Sequence, residues 1–448
     1  MIALPRLLVA LTACLFAVTA VSPSAAADRP NIVLIMADDM GYECIQANGS
    51  LDHKTPNIDA LAAAGLRFEH CYAQPICTPS RVKLMTGKSN KRNYVRFGKL
   101  DRKQTTFAHL LKDAGYKTCI AGKWQLGKEV DSPQHFGFDE ALLWQHTRSG
   151  RSKENGKTFD RRFVNPQLEL NGEEQDYVNG EYGPQVCTEF ICDFIDKNSQ
   201  KPFLVYYPMI LTHCPFDPTP DSTDWDPKRL GSTTYKGDRN APQRLFRDMV
   251  SYVDKTIGKL NMRLEKAGVR NNTLLIFVGD NGTDTPIVTN TTFGKVVGAK
   301  GQMIDAGNHV PCFVSWPGVI RKGRVVQDII DFSDILPTIC EATGTQVPAG
   351  LTIDGQSFLP QLKGETGSPR DSIYMWYSRN GAVKAARAFA RNQRYKLYES
   401  GKFFDVPNDR NEKKPLGDAS LSEEQLSIKA VLQARLDRFA DIKPVNAK

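Results

Sequence analysis

Asn31-Ile32-Val33-Leu34-Ile35-Met36-Ala37-Asp38-Asp39-Met40-Gly41 is the stretch from which the rest of the chain is best read. From Ile32 to Ala37 there is no polar side chain and no alternation, the pattern of a strand buried on both faces of a parallel sheet. Two carboxylates and a glycine follow. Neighbouring strand residues point to opposite faces, so Asp38 and Asp39 converge only where the strand ends and the backbone turns, as Gly41 permits. A second apolar run, Thr273–Gly279, ends in Asp280-Asn281-Gly282. In an open parallel sheet both strand ends face one crevice, where ligands bind. Three carboxylates and a carboxamide are hard oxygen donors, a set that favours Ca2+ or Mg2+ over zinc. Either pair alone reads as an ordinary turn; their recurrence argues for a metal site.

Strands and helices alternate outward from these runs. Thr55-Pro56 opens a helix, with Thr55 as cap and proline in the first turn. Residues 105–114 have helical periodicity and 116–121 read as a strand, as do 202–208. A long amphipathic helix is expected over 242–267. Residues 147–185 and 214–240, rich in Gly, Pro, Asp, Asn and charge, read as long surface insertions. Past a boundary near 337–350, residues 372–377, 385–391, 395–399 and 402–406 read as short strands, closed by a helix near 422–439. The rhythm is α/β: a mostly parallel central sheet between helices, followed by a small C-terminal α+β domain with an antiparallel sheet.

The 448 residues carry 58 Lys+Arg against 50 Asp+Glu, with 41% hydrophobic residues. This composition excludes disorder, collagen and coiled coil. A basic start at Arg6, an apolar stretch over 7–21 and Ala25-Ala26-Ala27 form a secretory signal over residues 1–27. The apolar run continues past Cys14, which argues against a lipid anchor there. Beyond the signal no segment has the apolar length of a membrane span, so an exported protein is expected, in a periplasmic, secreted or lysosome-like compartment. Nine cysteines remain after Cys14. Cys187 and Cys192 are close enough in sequence to bridge, while the other structural cysteines read as buried small hydrophobes.

Cys77-Thr78-Pro79-Ser80-Arg81 opens another helix. A cysteine at a helix N-terminus faces free N–H groups, a setting that favours charge on its sulfur. This pentapeptide resembles the C-x-P-S-R signature of the type I sulfatases, members of the alkaline phosphatase-like superfamily whose cysteine is converted to formylglycine. The resemblance extends to residues 31–41, 55–59, 115–127, 280–282, 298–301 and 316–318, and to Arg394-Tyr395-Lys396-Leu397 in the C-terminal part. It implies an alkaline-phosphatase-like sandwich, with a catalytic domain over 28–345 and a small domain over 346–448. It also implies a calcium ion on Asp38, Asp39, Asp280 and Asn281 that contacts residue 77. A hydroxyl of the hydrated aldehyde would attack sulfur and expel the alcohol. Arg81, Lys123 and Lys300 would neutralise the sulfate oxygens, and His213 would protonate the leaving oxygen. A formylglycine-generating or anaerobic sulfatase-maturing enzyme is the implied maturation partner.

Two positions depart from the family pattern. Gln125 stands where a histidine is usual, and glutamine cannot act as a base at neutral pH. His309 stands where arginine is usual, and is a candidate substitute base. Nine Lys+Arg against one Asp lie between Arg81 and Lys103, and six against two acids between Arg148 and Arg162. These runs suggest a track for a polymer carrying repeated sulfates. No nucleic-acid-binding motif accompanies them. Asn48, Asn271, Asn281 and Asn290 each begin a glycosylation pattern, although Asn281 is expected to be buried. The expected activity is hydrolysis of sulfate esters of a sulfated carbohydrate. The alternatives are a phosphoester or phosphonate hydrolase on the same fold and a non-catalytic sulfated-glycan binder.

Overall fold

A computed structural model describes residues 29–154, 156–232 and 241–446. The proposed signal and Cys14 lie outside the described residues, as do the last eight of the 214–240 stretch. Ten strands form the central sheet: β1 (Asn31–Ala37), β2 (Leu66–Tyr72), β3 (Lys117–Lys123), β4 (Glu140–Trp144), β5 (Gln167–Leu170), β6 (Glu173–Asp176), β7 (Phe203–Pro208), β8 (Thr273–Gly279), β9 (Cys312–Ser315) and β10 (Arg324–Asp331). Their order is β10-β2-β9-β8-β1-β7-β3-β4-β5-β6. The five strands β8, β1, β7, β3 and β4 run parallel in its middle, and β9, β5 and β6 pair antiparallel towards the flanks.

β1 lacks alternation because both of its faces are covered. Ile32, Leu34 and Met36 enter one apolar cluster, while Val33, Ile35 and Ala37 enter the other on the opposite face. The expected α/β sandwich is therefore the fold observed. Helices α1 (Pro56–Ala64), α2 (Cys77–Thr86), α3 (Gly183–Asn198) and α4 (Ala241–Lys266) flank the sheet. α4 lies within about a residue of its expected start and end.

The register matters most at the C-terminal ends. Ala37 pairs with Gly279, so the chain leaves β1 and β8 at the same level. A Cβ at Gly279 would lie 2.0 Å from the Met40 carbonyl oxygen, so glycine is what lets the two exits pack this closely. β7 brings the following segment alongside: Asp38 N–H donates to Leu211 O at 2.7 Å and Thr212 N–H donates to Asp38 O at 2.6 Å.

The reading of 147–185 as a surface insertion needs correction. β5 and β6 from this stretch extend the central sheet, and α3 begins within it. Glu169, Glu173, Glu174 and Asp176 hid those strands from an apolar-pattern search; Glu169 is nevertheless buried, accepting from the Thr147 and Arg148 amides at 3.1 Å.

The C-terminal part is a four-stranded antiparallel sheet of β11 (Ile373–Tyr377), β12 (Arg387–Arg391), β13 (Tyr395–Tyr398) and β14 (Phe403–Asp405), covered by α5 (Glu423–Asp437). Tyr374, Trp376, Leu397 and Leu432 belong to the same apolar cluster as Ile32 and Leu34. One continuous core thus crosses the position expected for the domain boundary. Among the described residues no helix is long and apolar enough to cross a membrane. Among the described residues all nine cysteines are unbridged, including Cys187 and Cys192, and eight of them are buried.

Candidate active site

Asp38 and Asp39 leave β1, Asp280 and Asn281 leave β8, Lys123 ends β3 and His213 follows β7. Cys77 is the first residue of α2, all ten residues of which are buried. Four adjacent parallel strands and one helix thus supply the side chains without needing a long loop.

The polar groups interlock. Asp39 sits in the left-handed region at φ +62, which turns its amide onto Asp280 Oδ1 at 3.0 Å. Asn281 Nδ2 donates to Asp39 Oδ1 at 2.8 Å. Lys123 Nζ lies 2.6 Å from Asp38 Oδ2, and Lys300 Nζ contacts Asp39. Arg81 donates to the Lys123 carbonyl at 2.7 Å and brings a second nitrogen to 3.6 Å from Asp280. Cys77, 1% exposed, donates from Sγ to Gln125 Oε1 at 3.0 Å. Asp38, Asp39, Cys77, Arg81, Lys123, Gln125, His213, Asp280, Asn281 and Lys300, all singled out from sequence, therefore lie in one site.

The donor set fits a cation. Asp38 Oδ1, Asp280 Oδ2 and Asn281 Oδ1 are buried without a hydrogen-bond partner, which is costly unless something positive meets them. Ligand atoms of Asp38, Cys77 and Asp280 lie within 4.8 Å of one another, as do those of Asp38, Asp39 and His213. Burial pushes Asp280 well above the ordinary carboxylate range, and the neighbouring Asp38 charge adds to it. Burial also raises Asp39, against Lys300. At Asp38 burial is outweighed by Lys123, with Arg81 and Lys300, which hold it low. A dry site with three carboxylates is most stable with a further positive charge. Arg81 Nε and Nη2 are likewise buried without an acceptor, as expected where an anion binds.

Cys77 differs from expectation in one respect. Burial raises its thiol, against the pull of Lys123 beside it. The helix N-terminus does not yield a thiolate, because burial disfavours charge on the sulfur.

His309 is not in the site. Its Nε2 is 2.8 Å from Glu69 O, Nδ1 is 3.5 Å from Asp305, and its ring stacks on Tyr42 at 4.1 Å. None of these partners holds a site residue, so the substitute-base reading fails. Part of the basic track is spent on internal pairing. Lys83 pairs with buried Asp331 at 2.5 Å, Arg92 with Asp354 at 2.9 Å and Arg102 with Asp131 at 2.7 Å. Lys91 donates to the Phe439 carbonyl at 2.7 Å, and Arg162 pairs with Asp160 at 2.7 Å. A count along the chain cannot see Asp331 and Asp354, which arrive from 248 and 262 residues away, while Arg96, Lys103, Lys153 and Lys157 stay exposed with no ion pair among the described residues.

Sequence reasoning missed Arg162 and Gln145. Arg162 donates to His213 Nδ1 at 2.9 Å, although the Cys214 carbonyl also contacts that nitrogen. A carbonyl only accepts and a guanidinium only donates; the charged group prevails, since a full charge acts more strongly on the ring than a dipole. Nδ1 is then the acceptor and the proton sits on Nε2, which lies 3.7 Å from Asp39. Burial first, and Lys123 next, hold the imidazole well below its usual range, so it is neutral. Gln125 Nε2 donates to Gln145 Oε1 at 3.1 Å. Neither partner lay in a motif.

Comparison with known proteins agrees with this geometry. The family described as Sulfatase matches residues 30–345, and the one described as N-sulphoglucosamine sulphohydrolase, C-terminal, matches 299–441. Arylsulfatase A of Homo sapiens is 30% identical over 402 residues, covering 84% of this chain and 75% of its own length. N-acetylgalactosamine-6-sulfatase of Mus musculus is 29% identical over 362 residues, covering 75% and 67%. A structure solved in complex with its substrate D-glucosamine-2-N,6-O-disulfate superposes with a TM-score of 0.74 at 22% identity, covering 94% of this chain and 100% of its own.

Proposed function

Because the chain belongs to the sulfatase family, whose members hydrolyse sulfate esters, we propose that it is an exported, calcium-dependent sulfatase acting on a sulfated carbohydrate through a formylglycine made from Cys77. What carries the reading is the convergence of Asp38 and Asp280 on Cys77, with oxygens of Asp38, Asp280 and Asn281 and two Arg81 nitrogens buried without a hydrogen bond. A sugar substrate is supported by the amino sugars named for the mouse relative and the solved neighbour. Export is supported by the signal-like residues 1–27, and maturation of Cys77 by a formylglycine-generating or anaerobic enzyme follows from the motif.

Asp38, Asp39, Asp280 and Asn281 would hold the calcium ion, with residue 77 beside it. When present, the hydrated formylglycine supplies a hydroxyl nucleophile where the thiol now stands, and calcium supplies positive charge that favours its ionised form. Arg81, Lys123 and Lys300 bind the sulfate oxygens with charges fixed before the substrate arrives. Neutral His213 holds its proton on Nε2 and donates a hydrogen bond from there to the leaving oxygen; Arg162 keeps that tautomer. Gln125 Oε1 accepts a hydrogen bond from residue 77 and orients it, with its amide held by Gln145.

The test is sulfate release by purified protein, with calcium, from defined sulfated oligosaccharides and from matched aryl sulfate and aryl phosphate esters. Mass spectrometry of the Cys77 peptide establishes conversion. Release of sulfate, with the aryl sulfate preferred, is the expected result. Fully converted protein that cleaves neither ester class would instead favour the second reading, a non-catalytic binder, which Gln125 motivates. Preference for the phosphate ester would favour a phosphohydrolase.

A further inference from the structure

A cavity of about 870 Å³ opens between the loop that follows Lys300, residues 301–304, and the C-terminal sheet. It is at the upper end of the range for small-molecule sites, about 300–1,000 Å³. Gly301 on its wall directly follows Lys300, which contacts Asp39. The Gly301 N–H donates at 2.7 Å to the carbonyl of Pro75, two residues before Cys77, and on the other wall the Tyr94 hydroxyl donates to the Arg379 carbonyl at 2.8 Å. The cavity therefore adjoins the proposed reaction centre.

Its lining carries cations of its own, outside the basic runs 81–103 and 148–162. Arg379, Arg387 and Lys402 are exposed, and among the described residues none of them takes part in an ion pair. Of the two acids present, Glu412 is committed to Lys396 at 2.7 Å and to Tyr398, which leaves only Glu399 against three cations. Tyr377 and Tyr398 add aromatic surface to the same walls. Uncommitted cations beside aromatic rings suit an anionic sugar: the rings cover the apolar face of a pyranose and the cations meet its sulfate or carboxylate.

We propose that this cavity is a subsite for a second anionic sugar, so that the substrate is an oligosaccharide with a sulfate or carboxylate on the residue next to the one that loses its sulfate. This rests on the sulfatase reading above. It adds to the runs expected in sequence a polyanion contact on the C-terminal sheet, where Arg379, Arg387 and Lys402 take part in no ion pair among the described residues.

The test uses the full chain with Arg387→Ala and Lys402→Ala combined, both being exposed cavity positions. Calorimetry on Cys77→Ala protein, which cannot be converted, measures binding of heparan sulfate and chondroitin sulfate tetrasaccharides and of the matching sulfated monosaccharides. Turnover by converted protein compares the same tetrasaccharides with 4-nitrocatechol sulfate. We expect at least one tetrasaccharide to bind tenfold or more tightly than its monosaccharide. The double substitution should remove that advantage and lower tetrasaccharide kcat/KM at least tenfold relative to the aryl sulfate. Tetrasaccharides lacking only the neighbouring sulfate, or only the neighbouring carboxylate, identify the anion bound. The subsite is overturned if no tetrasaccharide binds more tightly than its monosaccharide, or if the double variant retains the advantage. Failure of converted wild-type protein on 4-nitrocatechol sulfate would sink the sulfatase reading, while calorimetry would still decide the subsite.

Discussion

Gln125 has φ +53 and Gln145 φ +58, both in a region that non-glycine residues enter at a cost of about 1–3 kcal/mol. Their amides explain the arrangement. Gln125 Oε1 accepts from Cys77 and Thr78, so its nitrogen must face Gln145. Histidine tolerates positive φ better than most residues and adds a base that glutamine lacks. Gln125→His should therefore raise kcat for sulfate release roughly tenfold or more; an unchanged kcat would mean that removal of a proton at residue 77 does not limit turnover. His53 makes a separate point. Burial pushes it down to about 4 from 6.5, only partly opposed by Asp52, and its Nδ1 has no partner. The folded chain binds fewer protons there between pH 4 and 6.5. Its contribution to stability is full above 6.5 and is lost as pH falls towards 4. In His53→Gln the pH slope of unfolding free energy in that window should drop by about 1.4 kcal/mol per pH unit, measured by urea denaturation; an unaltered slope would count against a neutral buried His53.

At the scale of elements, α2 is tied to the end of β10 by Lys83 and Asp331, 2.5 Å apart with side chains 2% and 4% exposed. Lys83→Met leaves the carboxylate buried without its cation and should cost about 3–5 kcal/mol in chemical denaturation; a loss below about 1 kcal/mol would mean that Ser333, which also donates to Asp331, suffices to satisfy it. This pair also marks a limit on what can be read from sequence. β1 and β8 were legible because a strand covered on both faces must be apolar throughout, and their paired acidic ends were legible because of it. β5 and β6 were not, since Glu169 takes its partners from Thr147 and Arg148. Arg162 serves His213 from 51 positions away, and no local pattern encodes that meeting. Lys83 counted as part of a basic run until Asp331 was seen against it.

For the whole molecule, the bound cation should be a stability factor as well as a catalytic one, because three buried carboxylates converge in one core-bound site. Dialysis against a calcium chelator should lower the melting temperature, and calcium should restore it more fully than magnesium; each hundredfold excess of ion over its Kd adds about 2.7 kcal/mol. An identical melting temperature with and without chelator would refute calcium at this site. The burial of Cys77 has a consequence in time. At 1% exposure, on a helix with no exposed residue, this thiol is out of reach of any other enzyme once the sheet closes. β1 cannot gain β8 as its neighbour until residue 279 has been made. At about 5–20 residues per second, the stretch from Cys77 to Asp280 takes about 10–40 s to synthesise. An enzyme that converts Cys77, as proposed above, would therefore have to meet it before the sheet closes, so the quality of the finished protein would be settled before it has a shape.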